Sequence, residues 1–113
     1  MAHSYSLSRG DFKEIEKARF RREHGKLFTL THGALSAAVS GVKFSCVVSK
    51  KVSSKAVERN LIKRRCRAAV LERVPRARGS TALVFYAKKT ALGATYAEIK
   101  HDIADLLEKS REN

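Results

Sequence analysis

The residues of this chain best suited to chemistry are the cations and the amide between Lys50 and Arg67. Lys and Arg side chains bind phosphate oxygens, and an Asn amide can hydrogen-bond a base edge or a ribose hydroxyl. At 100° per residue, one stripe of a helix here combines an amide with three cations: Asn60, Lys63, Arg64 and Arg67. A second stripe, roughly opposite Arg64, is apolar: Ile62, Cys66, Ala69 and Val70. The pattern predicts a helix that packs on one side and binds an anion on another.

The charge around this helix has one dominant sign. Residues 50–78 contain eleven Lys or Arg and two Glu, which leaves +9 of the chain's net +13. A merely solvated helix face usually mixes both signs, and like charges at i, i+4, such as Arg59 and Lys63, destabilise a helix by about 0.2–0.5 kcal/mol per pair. With a pI near 10.3, the chain is therefore expected to bind a polyanion, and nucleic acid is the favoured partner.

Side chains able to catalyse a reaction are not grouped in the sequence. General acid–base catalysis needs His or carboxylate groups that converge, but the four histidines are scattered, and the pair His101–Asp102 belongs to a helix face that we predict to be solvated. Neither a phosphate-binding loop, a zinc-ligand spacing nor a nucleophile elbow is present. We expect a protein that positions RNA and has no catalytic residue or metal site of its own. Cys46 and Cys66 are predicted to be reduced core residues.

The elements that position the cations follow from periodicity and from capping residues. The central helix is expected to begin near Lys55, with Ser53 or Ser54 as N-cap, and to end near Arg73, before Pro75. A capping box of Thr95 and Glu98 begins a C-terminal amphipathic helix, and another helix is predicted from Ser8 to about Ala18. Three segments have strand patterns: 26–32, 42–49 and 81–87, the last apolar on both faces and hence central. Residues 34–41 fit a loop or a frayed strand end.

Length and composition predict a single domain over residues 1–113, with residues 1–7 as a disordered tail. The apolar run of a signal peptide is missing, and no apolar stretch approaches the roughly 20 residues that span a membrane. We therefore expect a cytoplasmic protein without a membrane or small-molecule partner. The segment Arg19–Arg22 surrounds Phe20 with cations, which suits single-stranded nucleic acid, although a lone Phe is more often a core residue.

The order of the basic residues resembles a known family. A Lys pair after a strand, then Arg59-Asn60, Lys63-Arg64 and Arg67, is similar to the signature of the bacterial ribonuclease P protein subunit. The resemblance implies an α+β two-layer sandwich of order αβββαβα, with a mixed four-stranded sheet and the ribosomal protein S5 domain 2-like fold. It also implies a left-handed βαβ crossover, whereas such crossovers are right-handed in nearly all proteins.

The family resemblance also implies a function. A large catalytic RNA holds the Mg²⁺ ions and removes the 5′ leader of precursor tRNA, while the small basic protein assists. The residues expected to face the catalytic RNA are Lys50, Lys51, Lys55, Arg59, Asn60, Lys63, Arg64 and Arg67. Those expected to bind the leader are Phe12, Arg19, Phe20, Phe28, Thr31 and Lys88. Leu61, Arg65, Thr31 and Lys88 depart from the residues common in the family.

Two other functions fit the charge but not the spacing of the basic residues. A structural ribosomal protein of the same fold would bind rRNA, and a helix in the major groove would bind duplex DNA. Neither alternative accounts for the spacing of Arg59, Asn60, Lys63, Arg64 and Arg67.

Overall fold

A computed structural model describes residues 20–34, 42–73 and 81–112 of the chain. The expected tail, the predicted N-terminal helix with Phe12, and Arg19 lie outside these residues. The described elements are β1 (Arg21–His24), β2 (Phe28–Ala34), β3 (Val42–Val47), α1 (Ala56–Leu71), β4 (Thr81–Ala87), a short 3-10 helix (Lys89–Ala91) and α2 (Tyr96–Glu112).

The four described strands form one mixed sheet in the order β1-β2-β4-β3. Strand β2 is antiparallel to β1 and β4, whereas β3 and β4 are parallel neighbours joined through α1. The interior position of β4 confirms what its apolar faces predicted, and the mixed α+β sandwich is confirmed as well. The left-handed course of the crossover through α1 stays a prediction.

Strand β1 was not predicted from its residues, which were interpreted only as a nucleic-acid-binding segment. It has four residues, three of them exposed, and it lies at the edge of the sheet. Short polar edge strands lack the apolar alternation by which strands are recognised, because one side has no neighbour. A strand at this position can still present its cations to a partner.

The core lies between one face of the sheet and the two helices. Register pairs Leu30 with Phe85 and Phe44 with Leu83, so these side chains share the helix-facing side. The predicted apolar stripe of α1 is buried there, together with the α2 stripe: Ile62, Cys66, Ala69, Val70, Ile99, Ile103 and Leu106. The predicted capping box of α2 is confirmed: the Thr95 N–H donates to Glu98 Oε1 at 2.9 Å, and the Glu98 N–H donates to Thr95 Oγ1 at 3.1 Å. The backbone N–H of Thr95, and next its side chain, bond to the carboxylate and hold the pKa of Glu98 below its usual value.

Asp102 joins α2 to the turn between β1 and β2. Its carboxylate accepts backbone N–H bonds from Lys26, Leu27 and Phe28 at 2.9, 3.0 and 3.0 Å. Gly25 is required beside it, because a Cβ at this position would come within 2.7 Å of Asp102 Oδ2. The prediction of a solvated Asp102 was therefore wrong: the side chain is buried, and its charge is matched by three peptide donors.

Replacing Asp102 by Ala is expected to lower the free energy of unfolding by about 3 kcal/mol, because three backbone donors lose a charged acceptor. Urea denaturation measures the loss. The matched control is Asp105→Ala on the same helix, where the carboxylate is exposed and lies 3.8 Å from His101 Nδ1. The control should change stability by no more than about 0.5 kcal/mol. Equal losses in the two variants would contradict the role given to Asp102.

Candidate nucleic-acid interface

The first cations of the interface lie on a tight turn after β3. The Val52 N–H donates to the Ser49 carbonyl at 3.1 Å, which places Lys50 and Lys51 at the two central positions. Both lysines are exposed, whereas Val52 is buried and anchors the turn. The turn thus presents two ammonium groups to solvent directly before α1.

The start of α1 depends on Ser53, but not as an N-cap. Helix α1 begins at Ala56, and Lys55 is the N-cap residue without a side-chain cap bond. The Ser53 hydroxyl accepts the Lys55 N–H at 3.1 Å and donates to Glu58 Oε1 at 2.6 Å. Arg59 adds a bond from Nη1 to the Ser53 carbonyl at 2.9 Å. The N-cap prediction was therefore wrong, because buried Ser53 lies two residues before the cap and bonds to both sides of it.

The stripe predicted on α1 is exposed along its length. Asn60, Lys63, Arg64 and Arg67 all face solvent, on the side of the helix away from Ile62 and Cys66. The Arg67 guanidinium lies 5.6 Å from the centre of the Phe44 ring, a cation–π contact that positions it at the junction of α1 and β3. We call the eight residues Lys50, Lys51, Lys55, Arg59, Asn60, Lys63, Arg64 and Arg67 the basic surface.

Within the described residues, none of the seven cations of the basic surface forms an ion pair with a carboxylate. Seven positive charges along one turn and one helix repel each other. The arrangement is therefore suited to the closely spaced phosphates of a polyanion.

Arg65 has a different role from its neighbours. It is half-buried, and its Nη1 donates to the Ala94 carbonyl at 2.9 Å, so it ties α1 to the segment before α2. Arg64 and Arg65 are adjacent in sequence, but one faces solvent and the other holds the fold together. Helical spacing had already separated them, since Arg65 lies outside the stripe.

The predicted leader-binding residues are divided between the two faces of the sheet. Thr31 and Phe20 belong to the face away from α1 and α2, where Thr31 is buried. The Phe20 ring lies so close to Gly33 that a Cβ there would be 2.8 Å from the ring. Phe28 points to the opposite face and is completely buried in the core. Its ring cannot stack on a base in this structure, so that prediction is corrected. Phe12 and Arg19 lie outside the described residues.

Lys88 is half-buried at the carboxyl end of β4. Its Nζ donates to the Gly25 carbonyl at 2.6 Å, and its backbone N–H donates to the Leu27 carbonyl at 2.8 Å. One of its three ammonium hydrogens is therefore used in a hydrogen bond within the protein. The Lys88 side chain thus stabilises the turn between β1 and β2, to which Asp102 also bonds.

The comparison with known proteins decides the family. A family model described as Ribonuclease P matches residues 2–111, nearly the whole chain. The chain belongs to the ribonuclease P protein family. No curated protein matches it.

Solved RNase P proteins have the same fold. The Staphylococcus aureus RNase P protein has 21% identity and a TM-score of 0.82, over 96% of this chain and 96% of that one. A mutant of that protein with defective mRNA degradation activity has 21% identity and a TM-score of 0.83, over 95% and 88%. The RNase P protein from Thermotoga maritima has 19% identity and a TM-score of 0.77, over 92% and 96%. The mixed sheet with two helices is thus the architecture of these proteins.

Sequence reasoning missed two exposed rings on the outer face of the sheet. Register pairs His24 with Thr29 and Thr29 with Tyr86, so His24 and Tyr86 lie in one row on the same face as Thr31. Tyr86 is 40% exposed, and His24 is exposed as well. The alternation of Phe85 and Tyr86 in β4 could have indicated a ring on the outer face, but the continuous apolar run hid it.

The acidic groups do not form a metal site in the described ranges, where no three His, Cys, Asp or Glu side chains converge. Glu72, just after α1, instead pairs with Lys100 at 3.1 Å, and this contact lowers the pKa of its carboxyl. Among the described helices, none is long and apolar enough to cross a membrane.

The different roles of Arg64 and Arg65 predict unequal effects of their replacement on stability. Arg65→Ala should lower the free energy of unfolding by about 1–2 kcal/mol, since the Ala94 carbonyl loses a charged donor. Arg64→Ala removes the same charge from an exposed site and should stay within about 0.5 kcal/mol of the parent. Urea denaturation of both variants measures the difference, and a larger loss for Arg64→Ala would overturn the assignment.

Proposed function

We propose that this member of the ribonuclease P family binds the catalytic RNA of ribonuclease P and the 5′ leader of precursor tRNA, and thereby assists Mg²⁺-dependent removal of the leader in the cytoplasm. One observation is central to the proposal. The basic surface presents seven cations and Asn60 from one turn and one helix, without a carboxylate partner among the described residues.

The chemistry of the basic surface suits a folded RNA. Arg guanidinium groups bind two phosphate oxygens at once, and exposed Asn60 can donate to or accept from a base edge or a 2′-hydroxyl. Arg59 and Arg67 are each held by a contact to the protein, to the Ser53 carbonyl and the Phe44 ring. Side chains that are already positioned lose less freedom on binding, which favours a rigid partner.

The leader is assigned to the other face of the sheet. Single-stranded RNA binds where rings stack on bases and cations hold phosphates. Phe20 and exposed Tyr86 are on that face, and Lys88 lies at its edge. We include Phe12 and Arg19 in this surface on the strength of the family resemblance, and we omit Phe28 and Thr31 because both side chains are buried.

The Mg²⁺ ions belong to the RNA subunit in this proposal. The described carboxylates do not converge on a point, and the buried one, Asp102, is bonded to three backbone N–H groups. The protein then supports the reaction by neutralising phosphates, which reduces the Mg²⁺ concentration that the RNA needs to fold and to bind its substrate.

The deciding experiment is cleavage of a precursor tRNA by a bacterial ribonuclease P RNA at low Mg²⁺, with and without the protein. Stimulated release of the 5′ leader is the expected result. Absence of stimulation together with co-sedimentation on washed ribosomal subunits would contradict the proposal and favour a structural ribosomal protein. Preference for duplex DNA over structured RNA would favour a DNA-binding helix instead.

Salt dependence tests the basic surface residue by residue. Arg64→Ala and Arg67→Ala should each weaken binding to the catalytic RNA and reduce the slope of log K against log salt by roughly one unit, because each loses a phosphate contact. Arg111→Ala is the matched control, since it removes an equal charge from an exposed site near the end of α2. A slope that falls equally in the control would show that only net charge matters.

Phe12→Ala tests the leader surface. If a leader base stacks on this ring, the substitution should weaken precursor tRNA binding to the holoenzyme by about 1–3 kcal/mol. Mature tRNA, which lacks the leader, should bind as before. Equal losses for the two RNAs would return Phe12 to a structural role.

A further inference from the structure

Two thiols meet beneath the basic surface. Cys46 is near the end of β3, and Cys66 is in the middle of α1, with their Sγ atoms 2.7 Å apart in an S–H···S contact. A disulfide bond measures about 2.05 Å, so the sulfurs are only about 0.7 Å from bonding distance. They also come from adjacent elements of the core, and neither β3 nor α1 has to move far to join them.

The two thiols differ in access to solvent. Cys46 is partly exposed, whereas Cys66 is completely buried. Burial raises the pKa of the Cys66 thiol, and the contact with Cys46 raises it further. A reagent from solvent therefore reaches the Cys46 thiol first. The Cys66 thiol lies behind it and stays protonated.

We infer that Cys46 and Cys66 are a peroxide-sensitive dithiol, which hydrogen peroxide or an organic hydroperoxide converts into an intramolecular disulfide. In the first step, Cys46 sulfur attacks one peroxide oxygen and the O–O bond breaks. Cys46 becomes a sulfenic acid, and its proton leaves with the other oxygen as water or an alcohol. This step transfers two electrons from sulfur to the peroxide.

The second step uses the buried thiol. Cys66 sulfur attacks Cys46 sulfur, the S–O bond breaks, and the hydroxyl leaves as water with the Cys66 proton. With hydrogen peroxide, the sum is two thiols plus one peroxide giving one disulfide and two waters. Thiol reductants such as glutathione or thioredoxin-type proteins reverse the reaction, as expected for a redox-sensing pair.

The position of the two cysteines determines how a disulfide between them would affect the fold. The two cysteines are 20 residues apart, and the segment between them contains the turn of Lys50 and Lys51 and the first half of α1. A covalent bond would close this segment into a loop and tie α1 to β3. Because closing this loop restricts the unfolded chain more than the folded one, the bond would stabilise the folded form.

The first test is chemical. The full-length protein is treated with stoichiometric hydrogen peroxide, and its intact mass and alkylation by iodoacetamide are measured. The expected product is a monomer lighter by two hydrogens that no longer alkylates and that dithiothreitol restores. Added oxygen on Cys46 with Cys66 still alkylatable after denaturation, or a dimer linked between chains, would overturn the inference.

The second test concerns stability and the order of the steps. Oxidation should raise the melting temperature of the parent by roughly 10 °C, and it should leave that of Cys46→Ser unchanged. Cys66→Ala should accumulate a sulfenic acid on Cys46 that dimedone traps, whereas the parent should not. A lower melting temperature after oxidation, or equal dimedone labelling of parent and Cys66→Ala, would contradict the proposed pair. None of these measurements depends on RNA binding.

Discussion

The Asp102 carboxylate is the contact on which the described fold depends. It lies on the inner side of α2 and accepts three consecutive backbone N–H groups of the turn that joins β1 to β2. Lys88 Nζ and Thr90 Oγ1 bond to carbonyls of the same turn, so the residues after β4 hold it from a second direction. A short polar edge strand such as β1 has little apolar surface with which to fix itself. Here its turn is fixed by a charge and two side-chain donors, and the sheet register follows.

Helix α1 has to satisfy two opposing demands. The like charges on its outer side destabilise the helix, so contacts on its inner side must hold the helix against the sheet. Burial of Ile62, Cys66, Ala69 and Val70 supplies most of that retention. The rest comes from two arginines that face inward in part: Arg59 bonds to the Ser53 carbonyl and Arg65 to the Ala94 carbonyl. The cations of α1 therefore differ in role: Arg65 is structural, Arg59 both bonds to the fold and belongs to the basic surface, and the others face solvent. Composition alone does not show this division.

Periodicity predicted the parts of the molecule in which many residues obey one pattern. The apolar stripes of both helices, the exposed stripe with Arg64, and the interior position of β4 followed from it. The errors occur where the surroundings of one side chain are determined by a partner far away in sequence. Asp102 bonds to residues 74–76 positions away, and its helical position gave no sign of them. Phe28 alternates with Leu30, which predicts one shared face, but only the pairing of Leu30 with Phe85 in the core identifies that face as the buried one.

The parallel pairing of β3 and β4 also shapes how the molecule meets a partner before any contact forms. Because Val47 pairs with Tyr86 in parallel, both strands end at the same edge of the sheet, and Lys50-Lys51 and Lys88-Lys89 leave from that edge. The first turn of α1, with the positive end of its peptide dipoles, begins just beyond the Lys50-Lys51 turn. Positive charge is thus concentrated at this edge of the described sheet. A polyanion would orient the protein by this edge before contact, and dissolved salt would weaken that steering.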